Sequence, residues 1–325
     1  MSIGNQTSIK EFLILGFPGL DPSYYGLVSA ILFFVYISTL FGNAIFLLLF
    51  ITDQNLQKPM YFIILNLVVS DVLFSTTTLP KIIARYWFQA GTISFTACFV
   101  QMYLVHYFGS VNSFVLLIMA IDRYVAICHP LRYATIITNS TIFTLSIISW
   151  VIAIGGPLMN VIRAFPLPYC SSNVIVQCYC DHFSIISLAC TDRIFNMFPS
   201  LVFAFVVLLV PLAFIMLSYV CIVVVVLQIA TTQGRLKTLS TCSAQLIIIT
   251  LYYVPRCFVY LATYVGLVFS TDLRITIIMF YSLLPPMVNP LIYSLRAKEV
   301  KDSLTKRLKR QHVDIQKANI SVTYK

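Results

Sequence analysis

Residues 97–133 read ACFVQMYLVHYFGSVNSFVLLIMAIDRYVAICHPLRY. From Ala97 to Ile121 there is no Asp, Glu, Lys or Arg; Asp122 and Arg123 then stand side by side, and the next charge is Arg132. An uncharged run of this length crosses the roughly 30 Å hydrocarbon core of a bilayer as one helix. The charge pair marks where that crossing ends. Six further runs match it, giving seven at about 24–50, 58–80, 97–121, 141–162, 196–228, 238–263 and 274–295. They are continuous, unlike the alternating segments of about ten residues that build a membrane β-barrel. Only 10% of the 325 residues are charged and 59% are hydrophobic, whereas soluble domains carry about 25% charged residues. The expected fold is an all-α membrane protein, a seven-transmembrane helix bundle. Residues 1–23 form its N-terminal segment, 24–295 the bundle, and 296–325 a short amphipathic cytoplasmic helix with a basic tail.

The basic residues set an orientation. Lys58, Arg123, Arg132, Arg235, Lys237 and nine residues within 296–325 lie on one side, fourteen of the 21 Lys and Arg. Basic residues concentrate in cytoplasmic loops, which predicts a multi-pass plasma-membrane protein with its N-terminus extracellular. The net charge of +10 is then largely a tail facing anionic membrane lipid, and nucleic acid is not an expected partner. The opening MSIGNQTSIKEF lacks a charged-then-apolar leader, so the first span is expected to act as its own insertion signal. Asn5 opens a glycosylation sequon on the outer side.

Cys128, Cys221, Cys242 and Cys257 lie in or near spans and read as small buried hydrophobes. Cys98, Cys170, Cys178, Cys180 and Cys190 lie on the outer side, where bridges form. Five is odd, so one thiol stays unpaired, and spacing does not say which. A metal site from Cys178, Cys180 and His182 rests on short spacing alone. No cofactor is expected.

Further motifs join the opening stretch: Gly42-Asn43, the run Lys58-Pro59-Met60-Tyr61-Phe62, LNLVVSD ending at Asp71, Lys237 with LSTCSAQL, and PPMVNPLIYSL. Together with MAIDRYVAICHPLRY they make the chain resemble a class A G-protein-coupled receptor, and within it an odorant receptor, over about residues 12–300. The opening ILGFPGL and the HPLRY continuation resemble the class I, or fish-like, branch. The resemblance implies a small-molecule odorant, a stimulatory olfactory heterotrimeric G protein and cyclic AMP as output. It also implies bridges Cys98–Cys180 and Cys170–Cys190, with Cys178 left over. Its activation switch would comprise Asp71, Asp122, Arg123, Asn289, Pro290 and Tyr293. Arg123 would rest beside Asp122 and be released toward the G protein. The alternative is that the pair merely marks a helix terminus.

Asp71 lies within an apolar span, so it should face the bundle interior. Asn43 and Asn289 are candidate partners, and the resemblance adds sodium as a candidate occupant. For the ligand, the implied set is His106, Gly109 and Ser110 on the third span with Tyr253, Arg256, Tyr260 and Tyr264 on the sixth. Tyr253, Arg256, Tyr260 and Tyr264 share one helical face. An intramembrane Arg needs a counter-charge or a watery cavity. Arg256 therefore contacts ligand, pairs with Asp181 or Asp192, or snorkels, and a guanidinium fork suits a carboxylate.

Several classes are excluded by what is missing. The last span has no Lys for a retinal Schiff base, and Val105 stands where amine receptors carry an Asp. No nucleophile and base cluster marks an enzyme, and no self-similar halves mark a transporter. A non-olfactory class A receptor for a peptide or lipid is the runner-up.

Overall fold

The computed structural model describes residues 9–170, 172–265, 267, 269–296, 300, 302, 303 and 305; the side chains of Arg193, Ile194, Lys237, Thr241, Thr263, Tyr264, Ser294, Leu295 and Arg296 are outside the description. Seven long helices carry the bundle: α1 Tyr25–Thr52, α2 Pro59–Trp87, α3 Phe95–Cys128, α4 Asn139–Ala164, α5 Arg193–Leu227, α6 Thr232–Val265 and α7 Thr271–Arg296. Each is long and apolar enough to cross a membrane. Two one-turn helices, Tyr133–Ile136 and His182–Ile186, lie in the connections. The amphipathic helix expected after residue 296, like the sequon at Asn5, falls mainly outside the described residues.

Most of the helices exceed their hydropathy-marked spans. The α2 helix continues to Trp87 and α3 to Cys128, because hydropathy registers only the hydrocarbon crossing while backbone hydrogen bonding carries each helix onward. The α5–α6 connection is tightened to residues 228–231, with Arg235 Nε donating to Ile229 O at 2.7 Å. The axis is α3, whose most apolar stretch is 61% buried against 22% in α1 and α5. It packs on α2, α4, α5 and α6.

Prolines inside these helices explain several interhelical contacts. A proline offers no N–H, so the carbonyl four residues earlier loses its donor, and in hydrocarbon that group must find another. Pro290 leaves Pro286 O open, and Asn43 Nδ2 donates to it at 3.1 Å. A Cβ on Gly42 would meet Pro290 Cβ at 3.1 Å, so the glycine admits the close approach that the asparagine bridges. Pro211 leaves Val207 O open, and Ser113 Oγ donates to it at 2.7 Å. Pro199 leaves Phe195 O open, and Arg163 Nη2 reaches it at 3.4 Å.

One end of the bundle carries a cap that hydropathy did not foretell. Strands β1 Glu11–Ile14, β2 Thr92–Ser94 and β3 Val174–Ile175 form a sheet in the order β2-β1-β3. β1 runs antiparallel to β2, with Phe12 opposite Ile93, and parallel to β3, with Leu13 opposite Val174. Phe12 and Ile14 are fully buried. Gly16, at φ +78°, turns the chain against Tyr86, whose hydroxyl accepts the Phe17 N–H at 2.8 Å. Cys98–Cys180 ties α3 to the α4–α5 connection and Cys170–Cys190 closes that connection on itself; Cys178 is free and buried.

Candidate functional site

Beneath the cap, His106 Nε2 on α3 lies 3.4 Å from Asp181 Oδ1. Asp181 Oδ2 accepts the Phe183 N–H at 3.2 Å and so caps the turn His182–Ile186. Burial pushes the Asp181 carboxyl up, but the nearby His106, with His182 and the Phe183 N–H, holds it below its ordinary value. The neighbouring His182 goes down, because burial and the His106 charge oppose protonation. Ser200 Oγ donates to Asn160 Oδ1 at 2.7 Å and lies 3.1 Å from His182 Nε2. With the serine proton spent on Asn160, His182 donates through Nε2 to Ser200 Oγ.

Arg256 stands on α6, and of its alternatives the pairing with Asp181 or Asp192 is not formed. Among the described residues no carboxylate lies within ion-pair reach of it. Asp181 is turned to His106, and Asp192 Oδ1 accepts the Phe195 N–H at 3.4 Å. The guanidinium carbon instead lies 3.9 Å from the Tyr252 ring centre and 4.6 Å from that of Tyr281 on α7. Nη1 donates to Tyr252 O at 3.2 Å. Each ring contributes about 0.5–2 kcal/mol as a cation–π partner. Burial pushes the Tyr179 phenol well up; Asp181 adds to this and Arg256 opposes it, so this cap residue feels both charges.

The other members of the predicted ligand set divide. Gly109 O accepts from Tyr252 Oη at 2.5 Å, tying α3 to α6. Ser110 Oγ turns back to His106 O at 2.8 Å. Tyr253 is 1% exposed and is a joint between helices. Its hydroxyl lies 2.8 Å from Ser113 Oγ and 3.2 Å from Ser113 O. Because the Ser113 proton goes to Val207 O, Tyr253 is the donor, and one serine joins α3, α5 and α6. Tyr260 is half-buried with its ring 6.3 Å from Phe205. The Tyr264 side chain lies outside the described residues.

Deeper in the bundle, Asp71 accepts from Asn289 Nδ2 at 2.7 Å and from Asn112 Nδ2 at 3.1 Å. Asn43, expected beside it, is occupied by Thr39 O and Pro286 O. The side-chain oxygens of Asn43, Asn112, Asn289 and Ser75 are buried without partners. One carboxylate with neutral oxygens is a hard donor set of the kind sodium prefers. No cluster of three or more His, Cys, Asp or Glu suited to a metal occurs among the described residues, so the Cys178, Cys180 and His182 site is not formed.

At the opposite end Arg123 Nε lies 3.7 Å from Asp122 Oδ2, and Arg123 Nη2 also contacts Met60 Sδ. Asp122 Oδ1 accepts from Tyr133 Oη at 2.9 Å. Pro290 and Tyr293 follow Asn289 on α7; Tyr293 packs on Phe46 and its hydroxyl is buried without a partner.

The sequence reading omitted Tyr252, Tyr281, Asn112, Ser113 and Tyr133. Tyr252 was within reach of it, four residues before Arg256 on a helix, and Asn112 is a polar residue inside an apolar span. Tyr281 carried no such signal.

This arrangement is a seven-helix bundle with a disulfide-bonded cap over one end and a charge pair at the other. The olfactory receptor family profile matches residues 32–311. The chain belongs to the olfactory receptor family. Human olfactory receptor 2AT4 is 38% identical over 91% of this chain and 92% of its own, and human olfactory receptor 1J1 is 37% identical over 95% of each. Squid rhodopsin shares the fold, with a TM-score of 0.71 at 18% identity over 91% of this chain and 90% of its own. As an olfactory receptor the chain is a multi-pass plasma-membrane G-protein-coupled receptor and not an enzyme; its partners are small-molecule ligands and a heterotrimeric G protein.

Proposed function

We propose that this olfactory receptor binds a small, water-soluble, carboxylate-bearing odorant beside Arg256 and raises cyclic AMP through the stimulatory olfactory G protein. Arg256 carries the reading. Its guanidinium lies against the Tyr252 and Tyr281 rings and donates through Nη1 to Tyr252 O, which leaves N–H donors free of protein carboxylates to match a planar carboxylate. The contact lies one turn above Tyr253, so occupancy pulls on the α6 joint with Ser113 and loosens the far end. Asp71 with its buried oxygens is the proposed sodium site of the resting receptor, and Asp122, Arg123, Asn289, Pro290 and Tyr293 the proposed switch. The N-terminus lies outside, supported by the basic residues at the Arg123 end and by a disulfide-bonded cap suited to an oxidising exterior.

Dose–response curves of Arg256 variants test this, with surface expression matched. Arg256→Gln should lose carboxylic acids by about 100-fold or more, the scale of truncating a buried charge pair. Arg256→Lys keeps the charge but loses the fork and the stacking, so it should also shift potency by about tenfold. Acid potency unchanged in Arg256→Gln would exclude Arg256 as the carboxylate receiver.

A further inference from the structure

His106, Arg256 and the cap residues belong to one closed ring of contacts. From Arg256 one path runs to the Tyr252 ring at 3.9 Å and from the Tyr252 hydroxyl to Gly109 O at 2.5 Å. His106 lies three residues back, about one turn or 4.5 Å along α3, and reaches Asp181 at 3.4 Å. The second path runs from Arg256 to the Tyr281 ring at 4.6 Å; the adjacent Ser282 lies 3.5 Å from the hydroxyl of Tyr179, two residues before Asp181. Arg256 and Asp181 both act on Tyr179, and no ion pair joins them. At Gly109 a Cβ would meet nothing within 4 Å.

Asp181 has capacity left. Oδ1 faces His106 and Oδ2 the Phe183 N–H, and a carboxylate has about four acceptor sites in all. Its side chain is 24% exposed. A ligand bearing only a carboxylate would satisfy Arg256 and leave the charge of Asp181 against its apolar body.

We infer that the chamber takes a zwitterion of the α-amino-acid class, its carboxylate on Arg256 and its ammonium on Asp181. This rests on the carboxylate reading above and adds the second charge. His106 holds Asp181 in place as a positioning residue, and Tyr252 and Tyr281 hold Arg256. The same two charges exclude a diacid, whose second carboxylate would meet Asp181.

The test is G-protein activation in cells expressing the full chain, with alanine, norvaline, leucine and phenylalanine as probes. Each is compared with its des-amino acid, its N-acetyl derivative and its methyl ester. On the wild type at least one amino acid should exceed its des-amino and N-acetyl counterparts by about tenfold, the scale of a partly buried charge pair. Asp181→Asn retains an N-capping side chain; it should abolish that preference, lowering amino-acid potency by about tenfold and raising that of the des-amino acid. Des-amino acids as potent as amino acids on the wild type would overturn the zwitterion and leave the carboxylate reading standing. Activation by esters alone, or by none of the probes, would overturn both. The wild-type comparison decides the matter even if Asp181→Asn fails to reach the surface.

Discussion

Asn43 shows how one residue can be bound to a proline on another helix. Its amide donates to Pro286 O, a carbonyl that Pro290 leaves without a helical partner. Asn43→Ala removes that donor inside hydrocarbon, and an orphaned buried acceptor costs about 1–3 kcal/mol. In a chain of this size that lowers the melting temperature of the detergent-solubilised receptor by about 2–4 °C or somewhat more. An unchanged melting curve would mean that Pro286 O finds another donor. Counting back four residues from each proline identifies the open carbonyl in the sequence itself, yet the donor could not be read there. Asn43 and Asn289 are both candidate partners of Asp71 in the sequence; Asn289 reaches it, while Asn112 stands where Asn43 could have been. Arg256 illustrates the same limit. A cation in an apolar span was visible, whereas its aromatic partner Tyr281 arises from packing of α6 against α7.

The elements divide by the range of the interactions that make them. The seven helices rest on local hydrogen bonds and apolar length, so composition located them all, short of the polar turns at their ends. The cap is non-local. Its strands are only a few residues long, and β1 has its partners at 92–94 and 174–175. No periodicity in so short a run could reveal the sheet. The bridge Cys98–Cys180, spanning 82 residues, joins this cap to α3. Cys180→Ser should cost about 2–5 kcal/mol and abolish most surface delivery measured by antibody on intact cells. Cys178→Ala, which leaves both bridges in place and removes one buried sulfur, should retain at least half of it. Equal losses would show that the cap is held by packing and not by its disulfide.

At the scale of the whole molecule, the proposed function couples the two ends of one bundle through α3 and α6. The chamber residues His106 and Arg256 stand near the cap, Ser113 with Tyr253 lies below them, and Arg123 closes the far end. The connections at 129–138 and 228–231 are short, and the proposed docking of the G protein is between the helices, where Arg123 rests on Asp122. Arg123→Ala should retain surface expression and lose more than about 90% of the agonist-evoked cyclic-AMP signal, a loss of at least tenfold in coupling. A full response from the well-expressed variant would remove Arg123 from the switch. The central claim is that this receptor reads a ligand carboxylate. The most direct measurement compares each activating acid with its methyl ester on the wild type in a cyclic-AMP reporter. The acid should be more potent by about 100-fold, since the ester loses the charge-assisted fork with Arg256. An ester equal to its acid would contradict the account.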